Sequence, residues 1–179
     1  MLAQQPHTVI DTPASFNQTA AETVPSIAEI KQHFKVPTLP SDGLFWSSNR
    51  TPGDWEYLSN AYAQRPSVMR FTLDLLWKDD WYKLQTDDQT HSADQIREFW
   101  NRASQAMASL NFGVVYVLLP QSDDPTGWSD TSTWALVEYP TLTKNGTGVQ
   151  KICRVNYNYE VNEYAAPFEI WPQVDESQC

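Results

Sequence analysis

The chain has 179 residues, of which 41% are hydrophobic and 19% charged, and its formal net charge at pH 7 is −10. This length favours one domain with a core that needs no structural metal. The acidic balance, with no basic stripe, argues against nucleic acid as a partner. No run approaches the ~18 apolar residues that would cross a membrane.

The N-terminal part predicts an arm followed by a short helix. Residues 1–24 are polar and interrupted by proline, which is typical of an extended arm, and a single domain is expected over residues 25–179. Ser26 and Glu29 form a capping-box pattern that predicts a helix to Phe34. Residues 55–62 are compatible with a second helix, whereas the period of residues 68–77 does not distinguish a helix from a strand.

The clearest predicted element is a helix over residues 92–110. Ser92 and Gln95 form a capping box, and Gly113 is the expected stop. Its apolar residues fall on one stripe: Ile96, Phe99, Trp100, Ala103, Met107 and Leu110.

The C-terminal part predicts strands at residues 114–119, 131–140, 149–155 and 168–171. The expected fold class is α/β (α+β), with a helical first half (25–112) and a second half (113–179) built on a mostly parallel central sheet flanked by helices.

Glu138 is the most informative residue of the predicted strand at 131–140. Strand alternation would place Trp134, Leu136 and Glu138 on one face. A lone carboxylate is costly to bury, so we expect Glu138 to be paired, exposed at a sheet edge or used in a site.

Three short tryptophan motifs accompany this carboxylate. They are Trp46-Ser47, Trp100 with Ser104 one helical turn later, and Thr133-Trp134. Taken singly, each tryptophan is more often a core residue than a ligand-binding one.

In this order, the motifs resemble the ADP-ribosyl cyclase / NAD+ glycohydrolase family, best over residues 99–155. The resemblance implies that Glu138 is the catalytic glutamate, with Trp100 and Ser104 as further catalytic residues beside the nicotinamide and the scissile ribose. It implies substrate-binding roles for Trp46, Ser47, Thr133, Trp134 and Asp74.

The resemblance also has departures. Ser48 stands where the family carries an arginine, for which Asn49 or Arg50 could substitute. The second acidic residue of the family, which favours hydrolysis over cyclisation, corresponds to Asp74, with Asp79 or Asp80 as the fallback.

The implied reaction is cleavage of the nicotinamide–ribose bond of NAD+ to give nicotinamide and ADP-ribose, with cyclic ADP-ribose as a minor product. Bond cleavage develops positive charge on the ribose, which a carboxylate stabilises, and indole faces attract the cationic pyridinium. The small Thr133 resembles the hydrolytic members. No cofactor is expected, since NAD+ is the substrate, and NADP+ and a homodimer are the other partners considered.

The resemblance implies an extracellular or cell-surface protein, whose signal or anchor would lie outside this sequence. Sequons at Asn17, Asn49 and Asn145 agree with export. Cys153 and Cys179 form either one disulfide or two thiols, and neither the cysteines nor the three histidines have metal-site spacing.

Two other functions fit the same residues. The eight tryptophans and eight tyrosines permit a secreted, aromatic-rich module that binds carbohydrate or protein without catalysis. An ordinary glycosidase would pair Glu138 with a second carboxylate such as Asp74 or Glu56, although the sequence shows no matched acid/base pair.

Overall fold

The computed structural model describes residues 23–35, 43–47, 52–121, 128–172 and 179. Almost all of the predicted arm, together with Asn49 and Arg50, lies outside these residues. The helices are α1 (Ile27–Gln32), α2 (Pro52–Ala63), α3 (Leu73–Leu76), α4 (Trp81–Gln85), α5 (Ala93–Ala108) and α6 (Tyr139–Thr143), with a π-helical turn over Trp134–Glu138. The strands are β1 (Leu44–Trp46), β2 (Phe112–Pro120), β3 (Gly148–Asn158), β4 (Glu163–Tyr164) and β5 (Phe168–Trp171).

The strands of the described chain form one mixed sheet in the order β1-β2-β3-β4, with β5 also paired to β3. The β1–β2 and β2–β3 pairs are parallel, and the short β4 and β5 pair antiparallel to β3. The predicted fold class is therefore confirmed: helices flank a sheet whose longest ladder is parallel.

Strand β2 is covered on both faces, as parallel strands usually are. Its alternate residues Val115, Val117 and Leu119 join a core that includes side chains of α1 and α5. Tyr116 and Leu118 face the other way, toward Trp55 and Tyr62 of α2. One strand thus separates two hydrophobic cores, and its carboxyl end lies beside that of β1.

The capping boxes predicted at Ser26 and Ser92 both form. They supply acceptors to backbone N–H groups that a helix cannot satisfy by itself. Helix α5 ends at Ala108, however, and Gly113 does not stop it: Gly113 lies in β2 with φ of 67°, where the pairing with β3 shifts by one residue. The left-handed conformation at this bulge is the reason for glycine.

The prediction of a strand over residues 131–140 is wrong, because this segment is helical. The Ser132 hydroxyl accepts a hydrogen bond from the Ala135 N–H at 3.2 Å, and the π-helical turn continues into α6. Trp134 and Glu138 are buried, whereas Leu136, which alternation would place beside them, is 64% exposed. The side chains therefore follow helical spacing rather than strand alternation.

A disulfide joins Cys153, buried in β3, to Cys179. It closes a loop with a sequence separation of 26 residues, so it restricts the unfolded chain.

Replacing the terminal partner, Cys179→Ser, should lower the free energy of unfolding by about 3 kcal/mol, since it removes this restriction without changing the core. Urea denaturation of the variant and of the parent measures the change. The parent protein treated with a reductant serves as the control and should match the variant. Equal stability of oxidised parent and variant would contradict the expectation.

Candidate active site

A cavity of about 500 Å³ opens where β1 ends, between α2, α3, α5 and the π-helical turn. Trp46 and Ser47 come from the carboxyl end of β1, and Trp100 and Ser104 from one face of α5. Crevices outside the carboxyl ends of parallel strands are common ligand sites in α/β proteins. The topology therefore places this cavity where a substrate is expected.

The cavity brings together every predicted site residue. Its lining includes Trp46, Ser47, Asp74, Trp100, Ser104, Thr133, Trp134 and Glu138. Four separate segments of the chain contribute these side chains, so the shared cavity is a tertiary feature. The role of each residue remains a prediction.

Glu138 lies at the cavity with its carboxyl group almost fully buried. The side chain is 7% exposed, and Oε2 has no hydrogen-bond partner among the described residues. Burial raises the pKa of Glu138 to about 8, although a hydrogen bond with the Ser104 side chain acts in the opposite direction. A strongly raised pKa in a cavity is characteristic of functional carboxyl groups.

The π-helical turn explains how Glu138 reaches this position. Trp134, one turn earlier, is fully buried and packs against Phe45 and Trp128, which anchors the turn to the core. Glu138 lies on the same side and is carried inward with it. Such turns occur frequently at functional sites.

Two of the indoles are partly exposed and are therefore available to a ligand. Trp46 and Trp100 are half-buried and line the cavity, and Trp100 is held by edge contacts with Trp77 and Phe99. Trp134 also borders the cavity but is 0% exposed. The first two offer ring surface, whereas Trp134 mainly supports the turn.

Hydroxyl groups complete the wall near Glu138. The Thr133 hydroxyl donates to Asn101 Oδ1 at 3.3 Å, which connects the start of the π-helical turn to α5. The Ser47 Oγ is buried without a partner among the described residues. Ser47 therefore retains hydrogen-bonding capacity for a ligand.

Asp74, which is predicted to be the second acidic residue, lies in α3 and lines the cavity. Asn60 Nδ2 donates to its Oδ2 at 3.4 Å, and burial raises the pKa of Asp74 while this hydrogen bond lowers it. The fallback residues do not line the cavity: Asp79 contacts His33, and Asp80 pairs with Lys83 at 2.9 Å.

From its sequence, Glu56 is a candidate only for a glycosidase carboxylate, yet it also lines the cavity. Burial and the charge of Asp74 raise its pKa. Helical spacing is the sequence signal that points to Glu56 as a site residue. It lies one helical turn before Asn60, which hydrogen-bonds to Asp74. Met107, Thr131 and Ser132 are further lining residues that the sequence did not single out.

The lining carries one sign of charge. Its described residues include three carboxyl groups and neither lysine nor arginine. Such a cavity favours a cationic ligand group. Among the described residues, no group of three or more histidine, cysteine or acidic side chains could hold a metal ion, and none of their helices is long and apolar enough to span a membrane.

The raised pKa of Glu138 predicts a pH-dependent stability. Because the folded pKa of about 8 exceeds the usual 4.5, the folded state binds a proton more tightly. The free energy of unfolding should therefore fall as the pH rises from 4.5 to 8, by on the order of a few kcal/mol from this group. Glu138→Gln should remove this part of the slope of unfolding free energy against pH, and the variant should be more stable than the parent at pH 8.5.

Urea denaturation at a series of pH values measures both slopes. Glu163→Gln, which makes the same change at an exposed residue, is the matched control and should keep the parent slope. Identical slopes for Glu138→Gln and the parent would contradict the burial of an unpaired carboxyl group.

Comparison with known proteins extends this description. The family model described as ADP-ribosyl cyclase matches residues 81–162. Among solved structures, the chain is similar to Aplysia cyclase complexed with substrate NGD and product cGDPR, with a TM-score of 0.49, 19% identity, and coverage of 68% of this chain and 51% of that one. For porcine CD38 complexed with a covalent intermediate, the TM-score is 0.39, the identity 22%, and the coverage 59% and 49%.

The chain thus spans about half the length of each of these two proteins. A comparison with curated protein sequences found no match. The family match includes five of the eight predicted site residues, namely Trp100, Ser104, Thr133, Trp134 and Glu138. The resemblance predicted from the motifs is confirmed: over residues 81–162 the chain carries the sequence pattern of the ADP-ribosyl cyclase family.

Proposed function

We propose that the chain is an NAD+ glycohydrolase that releases nicotinamide and ADP-ribose from NAD+. The observation that carries the proposal is the buried Glu138 carboxyl group, with an unpartnered oxygen, in a cavity whose described lining is acidic and aromatic. The match to the ADP-ribosyl cyclase family supports an enzyme acting on NAD+.

The charge of the substrate fits the electrostatics of this carboxyl group. At neutral pH the empty site favours the protonated form of Glu138, whose pKa is about 8. The N-ribosyl pyridinium of NAD+ is a cation, and a cation beside a carboxyl group favours its ionised form. Substrate binding would therefore generate the carboxylate and release a proton.

Glu138 would then stabilise the transition state. As the bond between ribose C1′ and the pyridinium nitrogen breaks, its electron pair moves to nitrogen, nicotinamide leaves neutral, and positive charge develops on the ribose. A carboxylate in a site that excludes water stabilises that charge strongly. Because the leaving group departs neutral, the reaction needs no general acid.

Trp46 and Trp100 would bind the pyridinium with their exposed ring surfaces, through cation–π attraction. Ser104 would orient the Glu138 carboxyl group, whose pKa its side chain already lowers. Ser47 and Thr133 would contribute hydroxyl groups to the ribose side of the site.

The product depends on which nucleophile attacks the ribosyl cation. Water addition, with loss of a proton to solvent, gives ADP-ribose, whereas attack by an adenine nitrogen gives cyclic ADP-ribose. We propose hydrolysis as the main outcome and cyclisation as a minor one, because the small Thr133 at the cavity wall resembles the hydrolytic members of the family. NADP+ is a second candidate substrate, and no cofactor is proposed.

An extracellular or cell-surface location is part of the proposal. The Cys153–Cys179 disulfide agrees with an oxidising compartment. The Asn145 sequon also fits, since Asn145 is exposed in the turn before β3. A homodimer remains a prediction without a supporting contact.

A glycosidase acting on neutral sugars is the second candidate, because Glu56 and Asp74 supply further carboxyl groups to the cavity of Glu138. Its substrate would lack the pyridinium cation, and its leaving group would need a protonated acid. Nicotinamide release from NAD+ distinguishes the two functions directly.

Glu138→Gln should reduce nicotinamide release from NAD+ by at least about 10³-fold, because a neutral amide cannot stabilise the ribosyl cation. Chromatographic measurement of free nicotinamide checks this, with circular dichroism to show that the variant is folded. Glu163→Gln is again the matched control and should retain full activity. Near-parent turnover by Glu138→Gln would refute the assigned role.

The pH dependence of NAD+ cleavage should show the ionisation of Glu138. The kcat/KM for NAD+ reports ionisations of the free enzyme, so it should rise about tenfold per pH unit below 8 and level off above it. The kcat should change less, because the bound pyridinium lowers the pKa of Glu138. A kcat/KM that is constant between pH 6 and 9 would show that Glu138 does not ionise in the reaction as proposed.

A further inference from the structure

A polar chain links helix α2 to Asp74 behind the cavity wall. The Thr72 hydroxyl, which is fully buried, donates to Asn60 Oδ1 at 2.5 Å. Thr72 is the N-cap residue of α3, yet its side chain makes no capping hydrogen bond. A threonine at this position usually caps the helix, so its hydroxyl is used for Asn60 instead.

This bond orients the Asn60 amide. Its oxygen accepts from Thr72, which leaves the NH₂ group as the side that faces Asp74, and Nδ2 donates to Asp74 Oδ2 at 3.4 Å. An amide turned the other way would place its oxygen against the carboxylate, which is unfavourable. Asn60 is therefore held on both sides.

Glu56 is the other carboxyl group next to this chain. It lies one turn before Asn60 on α2 and lines the same cavity as Asp74. The charge of Asp74 raises the pKa of Glu56, whereas the Asn60 hydrogen bond lowers the pKa of Asp74. Glu138 is the third acidic group of the cavity. Its pKa is shifted by its own burial and by Ser104, and not by Glu56 or Asp74.

We propose that Asn60, held by Thr72, is a positioning residue that fixes the Asp74 carboxyl group in the cavity as a hydrogen-bond acceptor for the substrate. The ligand group that matches this acceptor carries a donor, as hydroxyl and amide groups do. The part of this inference that concerns the substrate rests on the proposed function.

The pKa of Asp74 tests the positioning role without any substrate. Titration of its side-chain carboxyl carbon by ¹³C NMR measures this pKa in the parent and in the variants. In Asn60→Ala and in Thr72→Val the pKa of Asp74 should rise, while Thr72→Ser, which keeps the hydroxyl group, should resemble the parent. Ser59→Ala is the matched control on α2, because the Ser59 hydroxyl donates to the Glu56 backbone carbonyl and, among the described residues, not to Asp74.

An Asp74 pKa that is unchanged in both Asn60→Ala and Thr72→Val would overturn the proposal. Thr72→Val is nearly isosteric and retains Asn60, so it decides the question if Asn60→Ala does not fold. Because this measurement needs no turnover, it remains decisive if the parent releases no nicotinamide, a result that would refute the proposed function alone.

Kinetics test recognition of the substrate by Asp74. Asn60→Ala should raise the KM for NAD+ by roughly tenfold with little change in kcat, the pattern for a lost binding contact. In an Asp74→Asn background the same change should have little further effect, because Asn60 acts through Asp74. Equal effects in both backgrounds would show that Asn60 contributes only to packing, and the positioning role would be rejected.

Discussion

The burial of Glu138 is the constraint on which the site depends. An isolated carboxyl group is costly to remove from water, and here the π-helical turn does so without supplying a positive partner among the described residues. Trp134 makes this tolerable, since its fully buried indole anchors the same side of the turn in the core. The fold therefore maintains a carboxyl group whose ionised form needs a cation, and the proposed substrate brings one.

The sheet determines where that carboxyl group meets the other site residues. Parallel pairing of β1 with β2 places Trp46 and Ser47 at a carboxyl edge, and α5 packs over the same edge with Trp100 and Ser104. Helix α2 covers the opposite face of β2 and contributes Glu56 to the cavity. The cavity thus joins groups from both sides of the sheet, so that partly exposed indoles and three carboxyl groups share one lining.

Elements with strong local signals could be predicted, and ambiguous ones could not. Helix α5 has a capping box and a wide apolar stripe, and β2 is a continuous apolar run, so both were recognised within a few residues. The segment around Glu138 contains apolar residues compatible with either period. Its helical state depends on the packing of Trp134 in the core, which no local pattern reveals. Likewise, residues 68–77 become a short helix, α3, flanked by isolated bridges at Phe71 and Trp77.

The sequence by itself determined the residue types of the site and, through the order of its tryptophan motifs, the family they resemble. It also determined the starts of α1 and α5, because a capping box is a local interaction between residues three apart. Only the tertiary structure decided that eight distant residues share one cavity, that Cys153 pairs with Cys179, and that Glu56 and Asn60 join Asp74. The physical reason is that burial and charge–charge proximity arise between segments far apart in the chain, and these set both the raised pKa of Glu138 and the arrangement of the second carboxyl pair.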